Sequence, residues 1–446
     1  MSETGLTQMQ STQSNNPTGE RKLLVLDSSY SLEAIRARKL EDSVTCRDLD
    51  GFFEHVWTVH PFATLVTSEK WTSRFGRAEA HSLASVHTFI EGKVGRFAWL
   101  QRFAPLNFLL GQMSVFVILL RLIRKERISV IRVGSPLYLG LLGWALSRCC
   151  GIPLVVRVGG NHDKIYGTTG QPLEKRLFFN RRIEKIVERF VFPRADLVAG
   201  ANQDNLNFAL ANGARSDFST LFRYGNLIDK RHFVIPSERT EGHSLLQEIG
   251  VESHRFILYI GRLERVKHPE DVVRVLAEVR GRDCDVKAVL AGDGQLRSEL
   301  LNLARELGVE NQVIFAGNID QDWLSKVIPL AAAVISPHTG RALSEAALGG
   351  VPIVAYDVDW QGELIQTGIT GELVPHLDWA GMVDSLERLL KNPEYARAMG
   401  HAVRKKIIEM MDPETLNQHE RDQYRAVMER FKKKALHDSA NSLTTP

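Results

Sequence analysis

Cysteine is scarce in this chain and badly placed for cross-linking. Cys46, Cys149, Cys150 and Cys284 form no CxxC pair, and two of them are adjacent, which suits neither a disulfide framework nor a zinc site. A reducing, cytoplasmic setting is the expectation. An excess of one charge is missing too. Against 56 Lys and Arg stand 53 Asp and Glu, a formal net charge of +3. Nucleic-acid binders carry a much stronger basic bias, so no nucleic-acid partner is expected. Residues 1–20 are rich in Ser, Thr, Gln and Asn and lack an apolar core; they read as disordered and not as a signal peptide. A spanning helix needs roughly 20 mainly apolar residues. The most apolar stretch, Leu106 to Leu122, is interrupted by Asn107, Gly111 and Gln112 and leads into a polar run, Arg121 to Arg127. It is expected as a buried helix.

What is present is an ordinary globular balance, 44% hydrophobic over 446 residues, enough for two or three domains. Short apolar runs alternate with longer amphipathic stretches, the pattern of strand–helix–strand units and a parallel sheet. Strands are expected at Leu23–Leu26, Val56–Val59, Val86–Ile90, Ile128–Val133, Leu154–Val158 and Leu197–Gly200. Helices are expected at Leu32–Glu41, Met113–Lys125, Leu139–Arg148, Leu173–Val191 and Gln203–Asn212. Near His232 to Ser244 the pattern breaks, then restarts with Phe256–Ile260, Ala288–Leu290, Val313–Phe315, Ala333–Ser336 and Ile353–Ala355. Helices fill the gaps at Glu270–Arg280, Gln295–Glu306, Gln321–Ile328 and Arg341–Gly349. The fold class is therefore α/β, two Rossmann-like doubly wound units, at 21–235 and 245–410. Ligands of such sheets bind beyond the carboxyl ends of the strands, so the cleft between the units is where chemistry is sought.

Four strand ends carry candidates. In Ile260-Gly261-Arg262-Leu263-Glu264-Arg265-Val266-Lys267 a strand ends at glycine and two cations follow five residues apart. Arg262 and Lys267 can converge on the negative charge that develops on a departing phosphate; the plain alternative is a solvated basic loop. Leu290-Ala291-Gly292-Asp293-Gly294 and Phe315-Ala316-Gly317-Asn318 offer close backbone approach at Gly292 and Gly317, or are simple turns. The fourth, Ser336 to Ala355, runs strand, Gly-containing turn, small-residue helix, Gly-Gly, proline, strand. Gly340, Arg341 and Ala342 open that helix, whose free amides favour an anion. Glu345 lies one turn in, placed to accept ribose hydroxyls; as an isolated residue it would be a surface carboxylate.

Taken together, this order and spacing resembles the donor domain of family 4 (group 1) glycosyltransferases of the GT-B fold, over nearly all of Arg255 to Lys406. The likeness continues through Gly362-Glu363-Leu364-Ile365 and Gly368-Ile369-Thr370-Gly371-Glu372-Leu373-Val374-Pro375. It implies that 21–235 is an acceptor domain and 245–410 a nucleotide-sugar donor domain. It also implies a final helix at 413–431 crossing back to the first unit, followed by a loose tail at 432–446. Arg262 and Lys267 would hold the donor diphosphate and Glu345 the ribose.

Three departures stand out. Eight positions before Glu345 the family has a second glutamate, and here Pro337 stands; the choice between retention and inversion stays open. The loop after the first strand, Asp27-Ser28-Ser29-Tyr30-Ser31, has no glycine. The histidine expected after the fifth strand is displaced to His162, in Gly159-Gly160-Asn161-His162. His162 is carried as a candidate catalytic group, with Asn161 beside it and His60 as a second candidate; the alternative for each is a plain loop residue. Asp357-Val358-Asp359 spells a metal-binding triplet of another fold, but it follows a donor-domain strand and reads as a loop. No metal or other cofactor is expected.

The reading is transfer of a sugar from a nucleoside-diphosphate sugar, UDP- or GDP-linked, to a hydroxyl acceptor in polysaccharide, glycolipid or glycoconjugate synthesis. A nucleotide-sugar epimerase and a non-catalytic binding protein are the alternatives. An epimerase converts the donor without acceptor, and a lapsed site has no need of Arg262, Lys267 and Glu345 together. Arg176, Arg181, Arg182, Lys185 and Arg189, interleaved with Leu177, Phe178, Phe179, Ile183 and Ile186, form a basic amphipathic stretch. It is either a core helix with a solvated face or a peripheral contact with the inner face of a membrane, which would allow a lipid-linked acceptor.

Overall fold

The computed structural model describes residues 21–37, 40–65, 74–338 and 340–443. The expected disorder of residues 1–20 lies outside that range. Two sheets carry the fold. The first has eight strands: β1 (Lys22–Leu26), β2 (His55–His60), β3 (Glu79–Ala84), β4 (His87–Glu91), β5 (Val130–Val133), β6 (Leu154–Val158), β7 (Leu197–Gly200) and β8 (Ser219–Leu221). Their order is β3-β4-β2-β1-β5-β6-β7-β8. Only β3 runs antiparallel, against β4. The second sheet has β9 (Phe256–Ile260), β10 (Lys287–Ala291), β11 (Val313–Gly317), β12 (Ala333–Ser336), β13 (Ile353–Tyr356) and β14 (Glu372–Val374), in the order β11-β10-β9-β12-β13-β14, all parallel.

The central strands were legible because parallel strands covered on both faces are continuous apolar runs. β9 is buried at every position. The strands not expected, β3, β8 and β14, lie at sheet edges or are three residues long. An edge strand needs no apolar run, and β3 is exposed or half-buried throughout.

In each sheet the chain winds outward in both directions from a central pair, β1 with β5 and β9 with β12. Helices on one face of the first sheet supply Leu119, Ile123, Leu142, Leu146 and Val191 to its core. On the other face the last helix, Pro413–Leu443, returns from the second unit and inserts Tyr424 and Val427 among Leu23, Val25, Phe53 and Phe222. Each such fully buried side chain contributes roughly 1.5–3 kcal/mol. That helix runs on past 431, so the loose tail expected from 432 is helical to Leu443. Lys432, Lys433, Lys434, Ala435 and Leu436 are strong helix formers with no proline or glycine among them.

Two further expectations are corrected. The apolar helix, Ala104–Glu126, is buried on one face only. Asn107, Gly111, Val115, Leu119 and Ile123, spaced by four, meet the domain. Leu106, Leu109, Met113 and Val117 point outward and are 42–56% exposed. The stretch 173–191 is not one helix but two, Lys175–Phe178 and Arg181–Val191. Between them Phe179 has φ +56°, and Asn180 caps the second by accepting the Ile183 amide at 3.1 Å.

Candidate functional site

Between the two sheets lies a cavity of about 490 Å3, at the points where both strand orders reverse. Its N-terminal wall is built from residues that follow β1, β5 and β6: Asp27, Gly134 and Gly159, with Arg132 and Arg157 from the strands themselves. Gly340, Arg341 and Ser344 form the facing wall. The two units touch beside it. Arg223 pairs with Glu363 at 2.7 Å, the Gln203 amide donates to the same carboxylate at 2.7 Å, and Asn202 donates to Asp359 at 3.2 Å.

The β9 loop supplies Arg262 and Lys267. Arg262 is exposed and donates to Glu264 at 2.7 Å. Burial lowers the proton affinity of Lys267, and the neighbouring Arg262 lowers it further, while Asp359 in the cavity wall pulls the other way. The two cations therefore stand near each other, and neither lines the cavity. His338 ties this loop to the one after β12, its Nδ1 3.0 Å from the Val266 carbonyl oxygen. Burial, with Lys267 beside it, pushes His338 down to about 4.

Glycine is required where β9 and β10 end. Gly292 has φ +146°, and a Cβ there would lie 1.9 Å from the Gly261 carbonyl oxygen. Its amide donates to Gly317 at 2.8 Å, which draws the ends of β10 and β11 together. Gly317 has φ +72°. After β12, the helix Ala342–Leu348 buries Glu345, whose carboxylate lies 3.3 Å from Arg341 Nε. Burial raises the proton affinity of Glu345; Arg341 opposes this and Asp229 adds to it. Where the resemblance places a second glutamate, the Pro337 carbonyl accepts from Gln361 at 3.1 Å.

The histidine candidates fall elsewhere. His162 is 4% exposed and does not line the cavity. Asn161 caps the helix His162–Thr169, accepting from the Asp163 and Lys164 amides at 3.2 Å, and donates to Asp204 at 3.2 Å. That cap turns His162 inward, with Nδ1 2.7 Å from Glu188 and the ring against Phe208. Arg181 holds the same Glu188 at 2.6 Å, so the cluster fastens the helix Arg181–Val191. His60, at the end of β2, is buried against Phe62 and is also absent from the cavity wall. Of the sequence candidates, Gly340 and Arg341 line the cavity, whereas Arg262, Lys267, Glu345, Ala342, Gly292 and Gly317 do not. Asp359, read from sequence as a plain loop residue, lines it too, with φ +56°. Among the described residues no three metal-ligating side chains converge.

Residues 246–406 match the family described as glycosyl transferases group 1. The C-terminal unit is a group 1 glycosyltransferase domain. An alpha-D-kanosaminyltransferase of Streptomyces kanamyceticus is 28% identical over 262 residues, covering 57% of this chain and 66% of that protein. An N-acetyl-alpha-D-glucosaminyl L-malate synthase of Bacillus anthracis is 29% identical over 235 residues, covering 51% and 59%. The matched segment thus spans less than two thirds of either relative. An Anabaena protein solved with UDP and glucose superposes with a TM-score of 0.66 at 18% identity, over 91% of this chain and 100% of that one. The two-sheet architecture is the GT-B fold.

Sequence reading missed most of the N-terminal wall. Arg47, Arg132, Arg157 and Arg223 all line the cavity. A signal existed for two of them, since Arg132 and Arg157 are cations inside otherwise apolar strands. Arg47 and Arg223 sit in polar sequence and are brought in only by the fold.

Proposed function

We propose that this chain transfers a glycosyl group from a UDP- or GDP-linked sugar to a hydroxyl of an acceptor in surface polysaccharide, glycolipid or glycoconjugate synthesis. The observation that carries the reading is one cavity shared by the group 1 glycosyltransferase domain and a second α/β unit, with Lys267 within electrostatic reach of Asp359 in its wall. The donor occupies the C-terminal side and the acceptor the N-terminal side. The bond from anomeric carbon to diphosphate oxygen breaks as the acceptor oxygen bonds to that carbon and passes its proton to solvent. Lys267 and Arg262 balance the charge left on the diphosphate, which in water would need a reorganised solvent shell. Glu345 accepts the ribose hydroxyls. Cations already in place make a metal unnecessary, so activity is expected to survive EDTA; complete loss, restored by magnesium or manganese, would reinstate Asp357 and Asp359 as ligands.

The exposed face of Arg181–Val191 presents Ile183 and Ile186 among Arg182, Lys185 and Arg189. The outward stripe of Ala104–Glu126 belongs to the same helical layer and ends at Arg121 and Arg124. Each presents apolar side chains beside cations, a surface suited to an anionic bilayer, which would bring a lipid-linked acceptor to the cleft.

The test is a thermal-shift panel of UDP-, GDP-, ADP- and dTDP-sugars, followed by product analysis with and without acceptor. One nucleotide is expected to raise Tm selectively. No shift with any of them removes the donor site, and conversion of the sugar without acceptor makes the chain an epimerase.

A further inference from the structure

The N-terminal wall of the cavity carries more buried positive charge than its neighbours neutralise. Arg132 and Arg157 are 5% and 8% exposed. Arg47 pairs with Asp27 and donates to Thr58 at 3.1 Å. Arg157 donates to the Phe222 carbonyl at 2.9 Å, lies 3.8 Å from Glu420 and stacks 4.5 Å from the Tyr224 ring centre; its Nε has no partner. Arg132 lies within electrostatic reach of Tyr424, Glu420 and Asp27. Three guanidinium groups are thus set against two carboxylates, Asp27 and Glu420. Asp27 is already held by Arg47, and Glu420, whose oxygens accept no hydrogen bond, has to serve Arg132 and Arg157 together.

Arginine does not shed its proton to escape burial. Water in the open cleft can screen one surplus charge, but a substrate that displaces this water must replace it or leave a buried cation uncompensated. A planar guanidinium matches phosphate or carboxylate oxygens in pairs. Opposite these arginines, across the same cavity, stand Gly340, Arg341 and Ser344. An anion held here is therefore on the acceptor side and not at the donor diphosphate.

We propose that the N-terminal wall binds an anionic group of the acceptor, a phosphate or a carboxylate, through Arg132 with Arg47 and Arg157 beside it. This deepens the glycosyl-transfer reading and rests on it. Asp27 and Glu420 act as spacers that hold the outer guanidinium groups in place. A neutral sugar alone would leave the surplus charge unmatched, so the anionic group is a binding determinant and not an ornament of the acceptor.

The test holds the protein in saturating UDP, so that the donor side is filled, at constant ionic strength. Three probes are titrated while Tm is followed: inorganic phosphate for a soluble phosphate, farnesyl diphosphate for a lipid carrier, and succinate for a carboxylate. At least one is expected to raise Tm saturably, and the strongest identifies the source of the anion. Arg132→Gln should bind that probe at least tenfold more weakly while UDP affinity is unchanged. Arg132→Lys keeps the charge but loses the fork and should fall between; it carries the test should Arg132→Gln not fold. Where GDP binds and UDP does not, GDP takes its place throughout; failure of both to bind would sink the donor reading. Normal UDP binding with no saturable anion response, or an equal response in the variants, would overturn the anionic site alone.

Discussion

At the scale of single residues the cavity separates groups that meet charge from groups that hold the scaffold. Lys267→Ala and Arg262→Ala are each expected to lower turnover roughly 100- to 1,000-fold, about 2.7–4 kcal/mol of lost transition-state stabilisation, with Tm unchanged. Single-turnover rates check this, and near-wild-type rates in both would remove the diphosphate role. Glu345 differs because it is buried and paired with Arg341 before any ligand arrives. Glu345→Gln keeps the shape and loses the charge, and hydrogen bonds to a charged acceptor are about twice as strong as neutral ones. UDP titration is expected to show weaker binding at nearly constant Tm; equal affinity would mean that Glu345 does not touch the nucleotide. His162 teaches the opposite lesson. A histidine near the expected place in the chain is spent on Glu188, because the Asn161 cap turns it inward.

Elements show where pattern alone misleads. The helix Ala104–Glu126 is apolar enough to cross a membrane by composition, yet one face is fixed to the N-terminal core. Its outer stripe cannot be told from a second buried face by periodicity. We expect co-sedimentation with vesicles containing phosphatidylglycerol, and much less with phosphatidylcholine alone. Leu106→Glu with Met113→Glu should weaken that partition at least tenfold without lowering Tm, since both side chains are already exposed. Equal recovery with both vesicle types and both proteins would mean that this face does not meet a bilayer.

Over the whole molecule, neutral buried histidines contribute to stability that acid removes. Burial pushes His60, His87, His232 and His338 each down to about 4. In the unfolded chain they titrate near 6.5. Their contribution is complete above 6.5 and is lost as pH falls towards 4, because the unfolded state then binds protons that the folded state refuses. Glu174 works in the other direction. Burial pushes it up to about 7, so its contribution is present below its unfolded value of 4.5 and fades as pH rises through 7. Near pH 5 the four histidines outweigh Glu174, so these five groups together take up protons on unfolding and stability falls as the pH drops. Calorimetry in buffers of different ionisation enthalpy would measure that uptake. A Tm that stays flat from pH 7 to 4.5 would show that these histidines are not held neutral.

Sequence alone determined the alternation of central strands and helices, because strands buried on both faces are continuous apolar runs whatever surrounds them. It also placed Gly261, Arg262, Lys267, Gly292, Gly317 and Glu345 in the segments that follow strands of one sheet. Local chemistry is enough there: a strand end, a glycine and a helix lie within a few residues of each other. What only the tertiary structure decided is the other wall. Arg47, Arg132, Arg157 and Arg223 come from four separate segments, and Glu420 reaches them from a helix at the far end of the chain. No spacing rule links them. They meet because the sheet sets β1, β5 and β6 side by side and Pro413–Leu443 folds back across it. The same return explains why Tyr424, polar at its tip and late in the chain, ends fully buried against Phe53 and Phe222.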